Sequence, residues 1–242
     1  MDQRRNPRRQ PWKITIAEDM QDNPWITKSP GEGGAGFGAQ WGAGFMHTVR
    51  GALLAIEDRD RDMGALAAVI GQTYNGQAFQ RVVYTESHDE VARSAGQKRV
   101  PEAIWLGNAD SYPSQKRSTL GAALVFTAPG IPMIFMGQEF LEWGAWTDAE
   151  QLDWSKAERF AGVRALYRDF IRLRRNWYGT TEGLKGNNVH VHHVNDADKL
   201  IAFHRWSRGG PRDDVVVVAN MSQRSYPAYT LACRAPGSGA FD

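Results

Sequence analysis

Cysteine is almost absent, with Cys233 alone among 242 residues. One thiol closes no internal disulfide, which excludes a disulfide-stapled scaffold and leans towards a reducing compartment. No stretch reaches the ~18 apolar residues of a membrane span, and none near the N-terminus has the form of a secretory signal, so neither is expected and the cytoplasm is the expected location. Charge of one sign is lacking too. The net charge is +2, and beyond residues 1–9 the basic residues stand among acidic neighbours, so no nucleic-acid partner is expected. The Gly-rich stretch 31–38 is not a phosphate cradle, because no Gly-x-Gly-x-x-Gly lies between strand and helix and no Gly-Lys-Ser/Thr ending occurs. No cofactor and no metal is expected.

What is present suits a globular enzyme. The chain is 42% hydrophobic and 11% aromatic, ample material for a core. Its organising stretch is Val82-Val83-Tyr84-Thr85-Glu86-Ser87-His88-Asp89-Glu90, an apolar, β-branched run that ends in a His-Asp pair. A strand of a parallel barrel is buried on both faces, so ionisable residues gather at its carboxyl end, the active face of a (β/α)8 barrel. Lys13 to Asp19 and Ile131 to Glu139 repeat the pattern, and the three strands predict acids converging on one rim.

In order along the chain, residues 1–10 read as a solvated basic tail. Residues 21–41 are loop with a short strand at Gly38 to Trp41, and helices are predicted over Met46 to Ile56, Gly64 to Ile70 and Lys116 to Thr127. Pro129-Gly130 stops the last of these before the next strand. The alternation is that of βα units. Phe160 to Asn176 places Val163, Leu166, Tyr167, Phe170, Ile171 and Leu173 on one face, with Arg164, Arg168, Arg172 and Arg174 opposite, as an amphipathic closing helix. Beyond it the strands shorten and alternate: Val189 to Val194, Leu200 to Trp206 and Val215 to Ala219. That is antiparallel β, so two units are expected, at 1–177 and 178–242, the second ending in a turn at 237–242.

The chemistry rests on Glu18 and Asp89, two strand-terminal acids about two βα units apart on the rim where barrels place catalysis. Either alone reads equally well as a surface or capping acid. Together they are the pair that glycoside hydrolysis needs, one to protonate the leaving oxygen and one to face an oxocarbenium-like centre. His88 adds a donor for a sugar hydroxyl. Trp25, Trp41, Trp143 and Trp146 lie in active-face loops where flat rings stack on sugars, although core packing is the ordinary use of each. His190, His192 and His193 read as polar strand faces, because alternation splits them and no zinc-type spacing is present. Cys233 has no base beside it in sequence and is not read as a nucleophile.

Ile16-Ala17-Glu18-Asp19, Glu86 to Glu90 and Pro129 to Glu139 resemble the later signature segments of the α-amylase superfamily, glycoside hydrolase family 13. Ile201 to Trp206 and Asp213 to Asn220 resemble the C-terminal β-sandwich of its glucan branching enzymes. Ala17-Glu18-Asp19, the Gly-Phe-x-x-x-Trp of Gly36 to Trp41 and Ser87-His88-Asp89-Glu90 make that group the nearest likeness, with maltooligosyl-trehalose trehalohydrolases close behind. The resemblance implies an α/β fold, the C-terminal half of a (β/α)8 barrel (strands five to eight) followed by a partial antiparallel β-sandwich. It implies a retaining double displacement on α-1,4-glucans such as glycogen, starch or maltooligosaccharides, with Glu18 as general acid/base, Asp89 as transition-state stabiliser and His88 on the same sugar.

The family's nucleophile, an Asp in a Gly-Phe-Arg-x-Asp segment, has no counterpart in this sequence, nor has the earlier Asp-x-x-x-Asn-His segment. Asp2 and Asp22 follow no apolar strand and are no substitute. The expectation is therefore a fragment, inactive alone, whose partner is the missing N-terminal half of its own barrel. Two exposed sheet edges follow from that. Branching activity is favoured. Hydrolysis by an amylase or trehalohydrolase is the alternative, separable because branching makes α-1,6 links without new reducing ends. A non-catalytic glucan-binding protein is the alternative of another class.

Overall fold

The computed structural model describes residues 12–231. The basic tail at 1–10, Cys233 and the turn at 237–242 lie outside them. Strand β1 is Ile16–Ala17, β2 is Ala39–Trp41, helix α1 is Ala43–Leu54 and α2 is Met63–Gly71. Then come β3 (Arg81–Val83), the single turn α3 (His88–Val91), α4 (Val100–Ile104), α5 (Tyr112–Thr127) and β4 (Ile131–Pro132). Helices α6 (Ser155–Arg159) and α7 (Ala161–Arg174) precede β5 (Asn188–Asn195), β6 (Leu200–Trp206) and β7 (Val215–Asn220). Among the described residues, no helix is long and apolar enough to cross a membrane.

The first four strands pair in parallel and in sequence order, with Ile16 beside Ala39, Gln40 beside Arg81 and Val82 beside Ile131. This is a partial barrel sheet. The last three form a separate antiparallel sheet in which Phe203 lies opposite both Val191 and Val217. One cluster of buried side chains runs through both parts. Phe45, Val49 and Leu53 of α1 meet Leu66 and Ile70 of α2, Leu124 of α5, and Ile201, Phe203 and Ala219 of the second sheet. The free edges carry apolar side chains: Ile14 and Ile16 beside β1, and Ile134 and Met136 beyond β4, are all exposed.

The strands are shorter than the apolar runs that announce them. The run from Val82 leaves the sheet after Val83, because the Ser87 hydroxyl accepts the Asp89 N–H at 3.3 Å and caps a helical turn there. Helix α5 starts at Tyr112, ahead of Lys116, since Ser111 accepts the Ser114 N–H and Pro113 suits the first turn. Gly130 stands before β4 at φ +140, where an added Cβ would lie 2.8 Å from a Val83 methyl and 3.0 Å from the Arg81 carbonyl. The sequence marks this stop, and the close approach explains it.

Two side chains of the closing helix depart from their expected places, because Ile171 falls at the margin of the apolar stripe and is exposed while Arg174 falls within it. Arg174 is 7% exposed and turned inward, although Arg164, Arg168 and Arg172 do lie away from the core. The corner between α5 and β4 leaves three carbonyls without strand or helix partners, and the Arg174 guanidinium donates to Phe126 at 3.3 Å, Ala128 at 2.9 Å and Gly130. Burial lowers its pKa to about 10, so it stays charged at neutral pH. Arg174→Met removes all three donors and is expected to cost about 2–4 kcal/mol in urea unfolding. Arg172→Met, which breaks only a 3.4 Å surface pair with Asp169, is expected to cost less than about 1 kcal/mol.

Candidate active site

Strand β1 delivers Glu18 at its carboxyl end, and α3, two strands across the sheet, presents His88 and Asp89. The three side chains meet. His88 Nε2 lies 3.6 Å from Glu18 Oε1 and 3.2 Å from Asp89 Oδ1, with all three side chains about half exposed. One ligand atom from each lies within 4.8 Å of the others, near enough for a cation to bridge, though exposed acids commonly sit so without one. An imidazole held between two carboxylates can donate to either and still face a ligand.

Aromatic rings frame this group. Trp41, the last residue of β2, stands edge-on to His88 at 6.1 Å and to Tyr84 at 5.3 Å. Trp146 meets His88 from the other loop at 6.4 Å and Phe135 at 5.7 Å. That second loop is fixed: the Trp146 N–H donates to the Val91 carbonyl at 2.7 Å, and the Trp146 carbonyl accepts the Arg93 N–H at 2.8 Å. Two of the four loop tryptophans therefore belong to the site. Trp25 instead underlies the Lys28 ammonium at 4.2 Å, and Trp143 packs on Phe160 with Lys156 over its ring.

The third strand-terminal acid does not join the rim group. The Glu139 carboxylate accepts the Gly137 N–H at 3.0 Å and closes its own turn. Asp22 has a structural place as well, accepting the Gly44 N–H at 2.8 Å in the first turn of α1 and the Tyr74 hydroxyl. Burial and this bond push the Tyr74 phenol well above its ordinary range, so it remains a neutral donor. Burial chiefly, and then the carboxylates of Glu90, Asp22, Glu18 and Asp89, do the same to Tyr84.

Beneath the rim, Glu86 is buried. One carboxylate oxygen accepts the Val100 N–H at 2.5 Å and the other faces Arg99 at 3.6 Å. Burial raises its pKa against the opposing pull of Arg99, Val100 and Arg50. Arg99 also donates to the Met136 carbonyl at 2.8 Å and lies over the Phe135 ring, which joins the two loops that carry His88 and Trp146. The sequence reading passed over these supports. The histidines of β5 separate as expected: His190 and His192 rings lie 6.2 Å apart, while His193 meets the Tyr229 hydroxyl at 3.0 Å.

The rim acids and the structural acid should behave differently in unfolding. Glu18→Gln is expected to move stability by less than about 0.5 kcal/mol. Asp22→Ala, which strips a helix start and a buried phenol of their acceptor, is expected to cost about 1–2 kcal/mol, both read from urea titrations.

No family model matches the chain. It is 30% identical to the 1,4-alpha-glucan branching enzyme GlgB 2 of Xanthomonas oryzae pv. oryzae over 96% of its own length and 31% of that protein. It is 28% identical to the branching enzyme GlgB of Pseudomonas syringae pv. tomato, over 94% of this chain and 30% of the relative. The chain thus spans about a third of the curated relatives that it matches. Among solved structures, a pullulanase from Anoxybacillus sp. LM18-11 in complex with maltotetraose shares the fold with a TM-score of 0.63 at 19% identity, covering 90% of this chain and 35% of that one. A putative alpha amylase from Salmonella typhimurium does so with a TM-score of 0.60 at 16% identity, covering 91% and 46%.

Proposed function

From the premise that this chain is homologous to the C-terminal portion of the 1,4-α-glucan branching enzymes of glycoside hydrolase family 13, we propose that it supplies the acid/base half of a retaining glycosyl transfer on α-1,4-glucans. The observation that carries the proposal is the meeting of Glu18 and Asp89 at His88, from strands two apart, between two tryptophan rings. Glu18 protonates the leaving glycosidic oxygen as the bond to the anomeric carbon breaks. It later takes the proton from the attacking 6-hydroxyl, which regenerates the acid. Asp89 and His88 grip ring hydroxyls as positive charge develops on the sugar, and Trp41 and Trp146 offer faces to neighbouring rings.

The nucleophile comes from outside these 242 residues, since the sequence holds no Gly-Phe-Arg-x-Asp. In this account the chain alone turns over no glucan, and its partner is the half-barrel that would pair with the free edges of β1 and β4. Residues 1–177 belong to the barrel and 178–242 to the β-sandwich, and the protein works in the cytoplasm on glycogen, starch or maltooligosaccharides, with neither nucleic acid nor membrane as partner. The test is to assay the chain alone and after joining it to the N-terminal portion of a related branching enzyme. No turnover is expected alone. The joined protein is expected to form α-1,6 links without new reducing ends, with kcat lowered by about 10²–10⁴ in Glu18→Gln. New reducing ends would make it a hydrolase, and turnover indifferent to Glu18→Gln would overturn the assignment.

A further inference from the structure

Arg50 lies on α1, away from the rim, and its guanidinium reaches across to the loop that bears His88 and Asp89. It donates through Nη1 to the Thr85 carbonyl at 3.3 Å, and through Nη2 to the Glu90 carbonyl at 3.3 Å and to the Lys98 carbonyl. Thr85 precedes the His-Asp pair and Glu90 follows it directly. The three acceptors therefore bracket the pair on both sides and tie it to the far end of its loop.

The geometry points to Arg50 as the positioning residue that sets His88 and Asp89 against Glu18. This rests on the role proposed for those rim residues. Arg50 touches no rim side chain and acts through the backbone that carries them. Its own base is rigid, because Val49 and Leu53 on the same helix are buried in the core. A planar guanidinium spreads its N–H donors over separate nitrogens in a fixed fork and so spans separated carbonyls, whereas a lysine ammonium offers its donors from one nitrogen on a flexible stem. Burial lowers the Arg50 pKa, and the nearby carboxylates of Glu86 and Glu90 oppose that shift. Ser87 is a local support inside the bracket, since its hydroxyl accepts the Asp89 N–H and donates to the Glu90 carboxylate. It holds the turn's shape, while Arg50 fixes where the turn sits.

The test uses the whole chain without sugar, so its result is independent of what the rim binds. Through-space NMR cross-peaks between the His88 ring and the rings of Trp41 and Trp146 report the position of the pair, and amide exchange over residues 86–98 reports its restraint. In Arg50→Lys and Arg50→Met the cross-peaks are expected to vanish and exchange to quicken by about tenfold or more, while methyl signals of Phe203's neighbours Ile201 and Val217 stay in place. Retention of the cross-peaks and of slow exchange in Arg50→Lys would show that charge alone suffices and overturn the proposal. Loss of the core methyl pattern in both variants would also overturn it, by making Arg50 a general fold residue. Failure of the glucan assignment would leave these signals untouched.

Discussion

The structure depends on finding donors for backbone carbonyls that the corners of a parallel sheet turn inward. Each βα corner ends a strand or helix without a ladder partner for its last carbonyls, and burying them unpaired is costly. This chain meets the cost with arginine. Arg81 donates to the Val69 and Pro129 carbonyls, Arg99 to Met136, Arg61 to Ala55 and Met221, and Arg174 to the corner before β4. Arg205 donates to Asn188, Thr127, Leu184 and Gly186 and so ties the end of α5 to the antiparallel sheet. Burial lowers Arg205 to about 9 and Arg81 to about 10, which leaves both charged at neutral pH and dispersed over several carbonyl dipoles.

That arrangement decides where rigidity lies. The helices, the corners and the second sheet share one continuous core, and the arginines lock the loops to it. The rim side chains are free of this task. Glu18, His88 and Asp89 stay about half exposed, held by the backbone that delivers them, with little packing of their own. The proton exchange proposed for Glu18 needs that freedom, and a buried carboxylate such as Glu86 does not have it.

Much of this was legible in residue order. Apolar β-branched runs closing on Glu18 and on His88-Asp89 marked the strands and the rim, and the change to short alternating strands after Asn188 marked the second sheet. The strand ends were not legible, because a hydroxyl cap at Ser87 outweighs β-propensity over Tyr84 to Glu86. Arg174 was misassigned by its charge: four residues after Phe170 and seven after Tyr167, it stands on the apolar stripe by helical spacing, and the carbonyls of the corner before β4 give it partners there. Arg50 did leave a signal. It stands one helical turn after Met46 and just before Leu53, a cation on an apolar stripe, and such a residue has an interior partner to find. Glu139 repeats the strand-terminal pattern without joining the rim, since Gly137 turns the chain back on itself and gives the carboxylate a nearer donor.

The central proposal is that Glu18 and Asp89 serve a barrel whose nucleophile is supplied from outside these 242 residues. The most direct measurement is to sequence the coding DNA ahead of Met1 in its source and translate it in the same frame. The account predicts an open frame carrying an apolar strand that ends in Gly-Phe-Arg-x-Asp. An in-frame stop close upstream, with a ribosome-binding site before Met1, would contradict it and leave the rim acids without a reaction to catalyse.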